Sequence, residues 1–467
     1  MQRVFVYTRW DTIRAILALA ALKGFKIYQL DVKSAFLHGE LTETVYVEQP
    51  LGYVRSGDES KVYKLKKALY GLKQAPRAWY SRIDAYFKKE GFVKCPYEHT
   101  LFLKSDKEGN ILIVSLYVDD MIVTGSKESM MEEFKQSMKS EFDMSDLGMM
   151  RYFLGVEIIQ NDAGIFMCQR RYAKEILERF KLQSCNSVRN PIVPESKLVK
   201  EDGGNRCDRL LYKQMVGCLM YLGASRPDLA YVLSIISRFM ECPYESHMMA
   251  VQRVFRYIKG TTDYGVWYRR NGNKDLIAFS DSDYAGDLES RKSTLGYAMM
   301  MSDGVVSWSS KKQPVVALST TEAEFVSSAA CACQVVWLRR ILEHIGLQQK
   351  DGTIIFCDNM STIKLSKNPV LHKRSKHIDV KFHFFRDLVN DGVVELVHCK
   401  SEVQVADILT KLVKLETYEH PMKGRHLNLV NMVIGGLTRV IKELIVPKVP
   451  NCREDTADHN VQAKQLA

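Results

Sequence analysis

The sequence has no Cys-x-x-Cys pair and no cluster of cysteines and histidines at zinc-module spacing; its 11 cysteines are scattered, with Cys331 and Cys333 only two positions apart. An odd count without a secretory leader argues against a disulfide framework. It points to reduced thiols in an intracellular protein, cytoplasmic or nuclear and not secreted. Long apolar runs are missing too. The stretch Ala15–Leu22 is too short for a membrane span and is expected to be a helix packed in a core, and no segment is expected to reach the length of a span. Basic residues are plentiful but not concentrated: 66 Lys and Arg against 55 Asp and Glu leave a net charge of +11 over 467 residues, with no basic tail. Such an excess suits a polyanionic partner and equally an ordinary basic enzyme. With 46% hydrophobic and 26% charged residues, the chain has the make-up of a globular protein of about two to four domains.

Basic residues are absent from one stretch where two acids meet. In Ser115–Leu116–Tyr117–Val118–Asp119–Asp120–Met121–Ile122–Val123, apolar runs flank the pair. They read as two buried strands with the acids at the hairpin tip. Like charges about 4 Å apart repel by roughly 4 kcal/mol at an effective dielectric of about 20. The pair therefore calls for a bound proton or a cation between its members; taken alone, it also reads as a polar turn. A third acid, Asp31, ends another strand-like run, Lys26–Val32. One acid from one strand and two from a neighbouring hairpin make the donor set that two-metal phosphoryl transfer needs.

In chain order, Ile13, Ile16, Leu17, Ala20 and Ala21 recur at helical spacing, so a helix over 9–23 precedes the Asp31 strand. Phe36 lies near the Asp31 site if the chain turns into a helix there, and is otherwise core. In the run from Leu69 to Trp79, Gly71 is followed by Pro76, which opens a helix. Its free N–H groups, with Lys73 and Arg77, suit a phosphate or are simply solvated. A helix is expected over 128–142, a strand over 152–159 with a return strand to Cys168, and a linker over 184–208 broken by Pro191, Pro194, Gly203 and Gly204. Further helices follow over 209–260. The basic, aromatic face of 251–259 lies either along a phosphate backbone or in solvent.

From about residue 275 the pattern becomes three strands, a long helix, a strand, two helices, a strand and a last helix, the strands near 276–280, 295–301, 304–308, 353–357 and 393–398. Asp281 and Asp358 end strands, Glu324 lies in the first turns of the long helix, and Asp407 lies on the last helix. Strand-end acids point at the sheet edge, where ligands gather in α/β folds. Asp283 and Glu322 are alternatives to Asp281 and Glu324. Helical geometry separates Glu322 from Glu324 by about 200°, so only one faces the site, and the apolar run after Glu324 favours Glu324. An integrase-type nuclease is a competing reading that would use Asp281, Asp358 and Glu395.

The strings QLDVKSAFLHGEL, LYGLKQAPRAWY, SLYVDDMIVTG, YFLGVEI, SRPDLAYVLSIISRFM, RYIKGT, FSDSDYAGD, SWSSKKQPVVALSTTEAEF, CDNMSTI, SKHIDVKFHF and VQVADILTK follow one another in this order. Together they resemble the reverse transcriptase and RNase H portion of a copia-type long-terminal-repeat retrotransposon Pol polyprotein, over about residues 9–412. The resemblance implies a multidomain α+β and α/β architecture. It comprises a right-hand polymerase palm with truncated fingers over 1–160, a helical thumb and connection region over 161–272, an RNase H-like mixed sheet with helices over 273–412, and a partly disordered extension over 413–467. It implies that Asp31, Asp119 and Asp120 hold two magnesium ions, with manganese a possible substitute, and that Asp281, Glu324, Asp358 and Asp407 hold two more. Phe36 is then the steric gate against a ribose 2′-OH, Gly71, Lys73, Gln74 and Pro76 lie by nucleotide and template, and Phe153, Leu154 and Gly155 form the primer grip. The implied partners are an RNA template, a DNA primer, an RNA–DNA hybrid and dNTPs, with no membrane. Only 30 residues precede Asp31, where the family has a long fingers region, so polymerase activity is expected to be impaired. The other expectation is an inactive or domesticated remnant that at most binds nucleic acid.

Overall fold

The computed structural model describes residues 8–193, 198–201, 203–367 and 379–411. Helix α1 (Trp10–Lys23) is built from Ala, Leu and Ile and is buried over most of its length. It stops at Gly24, whose left-handed φ of 70° lets its N–H reach the carbonyls of Ala20 and Ala21. Strand β1 (Ile27–Val32) leads into a 3-10 turn, Ala35–His38. A small ribbon of β2 (Tyr46–Val47) and β3 (Tyr63–Lys64) follows, then α2 (Ala75–Lys89), β4 (Val93–Lys94), β5 (Leu101–Ser105), β6 (Ile111–Tyr117), β7 (Asp120–Gly125), α3 (Glu128–Glu141) and β8 (Met144–Met149). The six-stranded sheet runs β4-β5-β6-β7-β1-β8. Its strands are apolar on both faces because both are covered. Leu112, Val114 and Leu116 pack with α2 and α3, while Ile113 and Ile122 pack with α1 on the other side.

The strand expected over 152–159 is two strands, β9 (Tyr152–Phe153) and β10 (Val156–Asn161), joined by a tight turn. Leu154 and Gly155 both have positive φ there, 49° and 72°. A Cβ on Gly155 would meet the Tyr221 hydroxyl, so the apolar sequence gives way to a turn that only a residue without a side chain fits. Next come β11 (Gly164–Cys168), α4 (Arg170–Arg179), α5 (Arg209–Leu222), α6 (Ala230–Ile236), α7 (Glu245–Gly260) and β12 (Gly265–Arg269), with a second sheet ordered β12-β11-β10-β9. The boundary drawn at 160/161 thus falls inside a paired hairpin. The basic face of α7 is neither free nor simply solvated: Arg256 Nε donates to the Asn186 carbonyl at 2.8 Å, Lys259 Nζ to the Gln183 carbonyl at 2.5 Å, and Arg253 to Asn190 Oδ1. These bonds strap the 183–190 segment down.

The last unit contains β13 (Ile277–Ser282), β14 (Thr294–Met301), β15 (Gly304–Lys312), α8 (Thr320–His344), β16 (Thr353–Cys357), α9 (Met360–Lys367), α10 (Asp379–Asn390) and β17 (Val394–His398). Its five-stranded sheet runs β15-β14-β13-β16-β17, antiparallel across the first three and parallel from β13 to β16 and β17. Helix α8 is long and apolar enough to cross a membrane, against the expectation from sequence, but 61% of its most apolar window is buried within the protein. Asp407 lies on a 3-10 turn, Val405–Leu409, not on the expected helix. Helix α1 joins this unit to the first sheet. Arg14 Nε donates to the Val306 carbonyl at 2.8 Å, and its guanidinium lies 3.8 Å from the Trp308 ring centre. The architecture is thus mixed α/β with several sheets, as expected in its coarse class. The 413–467 extension, whose apolar Val430–Val446 run reads from the sequence as a helix with a packed face, and Pro194 lie outside the described residues.

Candidate active sites

In the first sheet β1 pairs antiparallel with β7, setting Asp31 opposite Asp120. The β6–β7 hairpin pairs Tyr117 with Asp120 and leaves Val118 and Asp119 as its turn. Val118 is held at φ 57°, a conformation that costs a β-branched residue about 1–3 kcal/mol. Two hydrogen bonds hold the turn in place. The Trp79 indole N–H donates to the Val118 carbonyl at 2.6 Å, and the Val32 N–H donates to the Asp119 carbonyl at 3.0 Å. Trp79 is fully buried and meets Phe142 edge-on at 5.5 Å. Gln29 Nε2 donates to Asp120 Oδ1 at 3.0 Å. Burial raises the pKa of all three acids, and Asp119 adds its charge to Asp31. Asp120 is pushed up to about 6, burial and the charges of Asp119 and Asp31 outweighing the Gln29 bond.

Around this tip the other expected residues fall as follows. Phe36, half-buried on the 3-10 turn, contacts the Tyr70 ring at 5.7 Å. The segment carrying Gly71, Lys73, Gln74 and Pro76 therefore abuts the 3-10 turn that follows the Asp31 strand. Gly71, at φ 91°, and Lys73 are exposed, and Pro76 opens α2 as expected. Phe153 meets Tyr117 edge-on at 6.3 Å, bringing the Leu154–Gly155 turn against the β6–β7 hairpin. The Tyr221 hydroxyl donates to the Leu154 carbonyl.

In the last sheet four carboxylates converge. Asp281, Asp358 and Asp407 offer oxygens within 4.8 Å of one another, and Glu324, Cys357 and Asp358 form a second such group; among the described residues these are the groups of three that qualify. Glu324 Oε1 accepts the Ser282 N–H at 3.2 Å, while its buried Oε2 has no hydrogen-bond partner. Burial, then the charges of Asp281 and Asp358, push Glu324 up to about 10. Burial and Asp281 push Asp407 to about 7 against the opposing pull of Lys411. The Lys411 ammonium lies 2.8 Å from Asp407 and 3.8 Å from Asp281. Four acids, one of them with an orphaned buried oxygen, gathered by a single lysine are short of positive charge. An all-carboxylate donor set of this kind fits a hard divalent cation such as Mg²⁺ or Mn²⁺.

Of the alternatives, Glu322 Oε2 accepts the Leu318 N–H at 2.8 Å, just ahead of α8, and Asp283 accepts the Thr294 N–H at 2.5 Å. Glu395 lies on β17 in register with Ile354, four residues before Asp358 and so about 13 Å along the strand direction. It is exposed, which removes the integrase-type donor set. Sequence reasoning missed Gln29, Trp79, Cys357 and Lys411. Gln29 carried a signal, because it stands two residues before Asp31 on the same strand face, and so did Lys411, one helical turn after Asp407. Nothing local to Trp79 or Cys357 foretold their contacts.

The comparisons bear on both sites. A family model described as "Reverse transcriptase (RNA-dependent DNA polymerase)" matches residues 4–194. The chain is similar to the retrovirus-related Pol polyprotein from transposon TNT 1-94 of Nicotiana tabacum, 39% identical over 434 residues, 90% of this chain and 32% of that polyprotein. It thus spans about a third of that relative's length. It is also similar to a putative transposon Ty5-1 protein of Saccharomyces cerevisiae, 30% identical over 309 residues, 66% of this chain and all of that protein. Among solved structures, an RNase H1 isolated from compost aligns with 29% of this chain and 93% of its own at 13% identity, with a TM-score of 0.24.

Proposed function

Because the chain belongs to the retrovirus-related Pol polyproteins of copia-type transposons, we propose that it is an RNA-directed DNA polymerase and ribonuclease H acting on an RNA template, a DNA primer, dNTPs and an RNA–DNA hybrid. The observation that carries this reading is the convergence of Asp281, Glu324, Asp358 and Asp407 from two strand ends, a helix and a 3-10 turn. Asp31 set opposite Asp120 supports it at the other site. In both sites, bound divalent cations would lower the charge barrier to attack on a phosphodiester or triphosphate.

The protein's own groups do the rest. In the polymerase site Asp31, Asp119 and Asp120 hold the cation positions, Gln29 orients Asp120, and Phe36 against Tyr70 walls the sugar pocket and rejects a 2′-OH. Gly71, Lys73, Gln74 and Pro76 line nucleotide and template, and Phe153, Leu154 and Gly155 carry the primer end. In the nuclease site Asp281 and Asp358 anchor, Glu324 and Asp407 complete the donor set, and Lys411 offsets their charge. The RNA strand is told from DNA by its 2′-OH groups.

A labelled RNA–DNA hybrid and a primer–template, each incubated with the purified chain and magnesium, test the two halves separately. Asp358→Asn is expected to reduce hybrid cleavage by about a thousandfold or more, the scale of losing a key electrostatic group, and to leave primer extension unchanged. Cleavage that survives Asp358→Asn at the wild-type rate removes the nuclease assignment.

A further inference from the structure

The carboxylate cleft of the last sheet holds a thiol. Cys357 ends β16 one residue before Asp358, is fully buried, and places Sγ within 4.8 Å of ligand oxygens on both Glu324 and Asp358. The sulfur accepts the Asn359 N–H at 3.4 Å, a bond of the kind that steadies a sulfur once it binds metal. The second, independent feature is Glu324 Oε2, which has no hydrogen-bond partner on a side chain only 6% exposed. The cleft therefore presents two donor sets sharing Asp358: an all-oxygen one from Asp281, Asp358 and Asp407, and a mixed sulfur–oxygen one from Glu324, Cys357 and Asp358.

Hard cations such as magnesium take oxygen donors, whereas borderline and soft cations favour a thiolate. A tetrahedral zinc with Zn–S of about 2.3 Å and Zn–O of about 2.0 Å sets sulfur and oxygen about 3.6 Å apart. From donors within 4.8 Å, a contraction of about 1.5 Å at most closes three bonds and leaves a fourth position for water.

We propose that Glu324, Cys357 and Asp358 form a binding site for zinc or cadmium, distinct in donor set from the magnesium positions and exclusive with them through Asp358, so that zinc inhibits hybrid cleavage. On coordination the thiol proton is released to solvent and the sulfur binds as thiolate. The inhibitory half rests on the nuclease reading; the binding half does not.

The test uses the full chain. Cadmium is titrated while the ultraviolet thiolate-to-cadmium charge-transfer absorption is followed, and zinc affinity is measured by competition with a chromophoric chelator. Both are done for wild type, Cys357→Ser and the neighbouring Cys399→Ser. The expected result is a charge-transfer band present in wild type and Cys399→Ser and lost in Cys357→Ser, with zinc affinity falling about tenfold or more in the latter, at least the cost of losing a metal's supporting group. A band of equal size in Cys357→Ser overturns the proposal. So does an unchanged zinc affinity in that variant. If Cys357→Ser does not fold, by thermal unfolding and circular dichroism, Cys357→Ala replaces it under the same criteria. Hybrid cleavage at fixed magnesium, normalised to each variant's own rate without zinc, is expected to need about tenfold more zinc for half-inhibition in Cys357→Ser. Wild-type binding with no cleavage in any sample rejects the nuclease reading while leaving the metal site standing.

Discussion

Loading the nuclease site with magnesium is expected to expel protons. Cation binding needs ionised carboxylates, yet Glu324 is pushed up to about 10 and Asp407 to about 7 in the metal-free protein. At pH 7 the first is protonated and the second about half so, and loading both therefore releases about one to two protons per site. The apparent magnesium affinity then rises with pH by about tenfold per unit for each proton displaced. The same shifts act on stability in the metal-free state. Both groups have folded pKa values above their unfolded ones, so the native state binds more protons than the unfolded state from about pH 4 to about 7 for Asp407 and to about 10 for Glu324. Stability of the metal-free protein falls as pH rises through that window, while magnesium reverses the trend. Titration calorimetry in buffers of different ionisation enthalpy counts the protons directly, and Asp119→Asn/Asp120→Asn isolates this site from the polymerase one. A proton count near zero, with an affinity flat between about pH 6 and 8, would refute the reasoning.

Trp79→Phe removes the indole donor from the Val118 carbonyl but keeps an aromatic ring in its buried slot. The loss of one such bond, about 1 kcal/mol, is expected to raise the magnesium concentration for half-maximal primer extension several-fold and to lower the maximal rate, with little change in hybrid cleavage. An unchanged magnesium midpoint would remove Trp79 from any positioning role. The fully buried Arg226 holds Asp228 through Nε and Nη2, at 2.9 and 2.7 Å, with Tyr257 and Thr261 completing the network. Arg226→Leu, which strands the Asp228 charge, is expected to cost about 3–5 kcal/mol, and Arg226→Leu/Asp228→Leu to recover much of it. Urea unfolding measures both, and a single-variant cost below about 1 kcal/mol would contradict that account.

Much of this protein was legible in one dimension. The apolar runs around Asp119–Asp120, the Lys26–Val32 run and the strand-end positions of Asp281 and Asp358 mark their elements, because strand period and helical spacing are local properties that burial imposes on neighbouring residues. The convergence of acids could be anticipated because Asp281 and Asp358 stand at strand ends and Glu324 in the first turns of its helix. Tertiary structure decided what depends on a second segment far along the chain. The 152–159 run folds back at Leu154–Gly155, where the Tyr221 hydroxyl takes the space a Cβ at 155 would need. The basic face of α7 is consumed by the 183–190 strap. The Val118 turn is held by Trp79, 39 residues away. Cys357 joins Glu324 only through packing of α8 on the sheet. Sequence periodicity records which side of an element is buried; it carries no record of which distant atom meets that side, and those meetings set the charge balance of both sites.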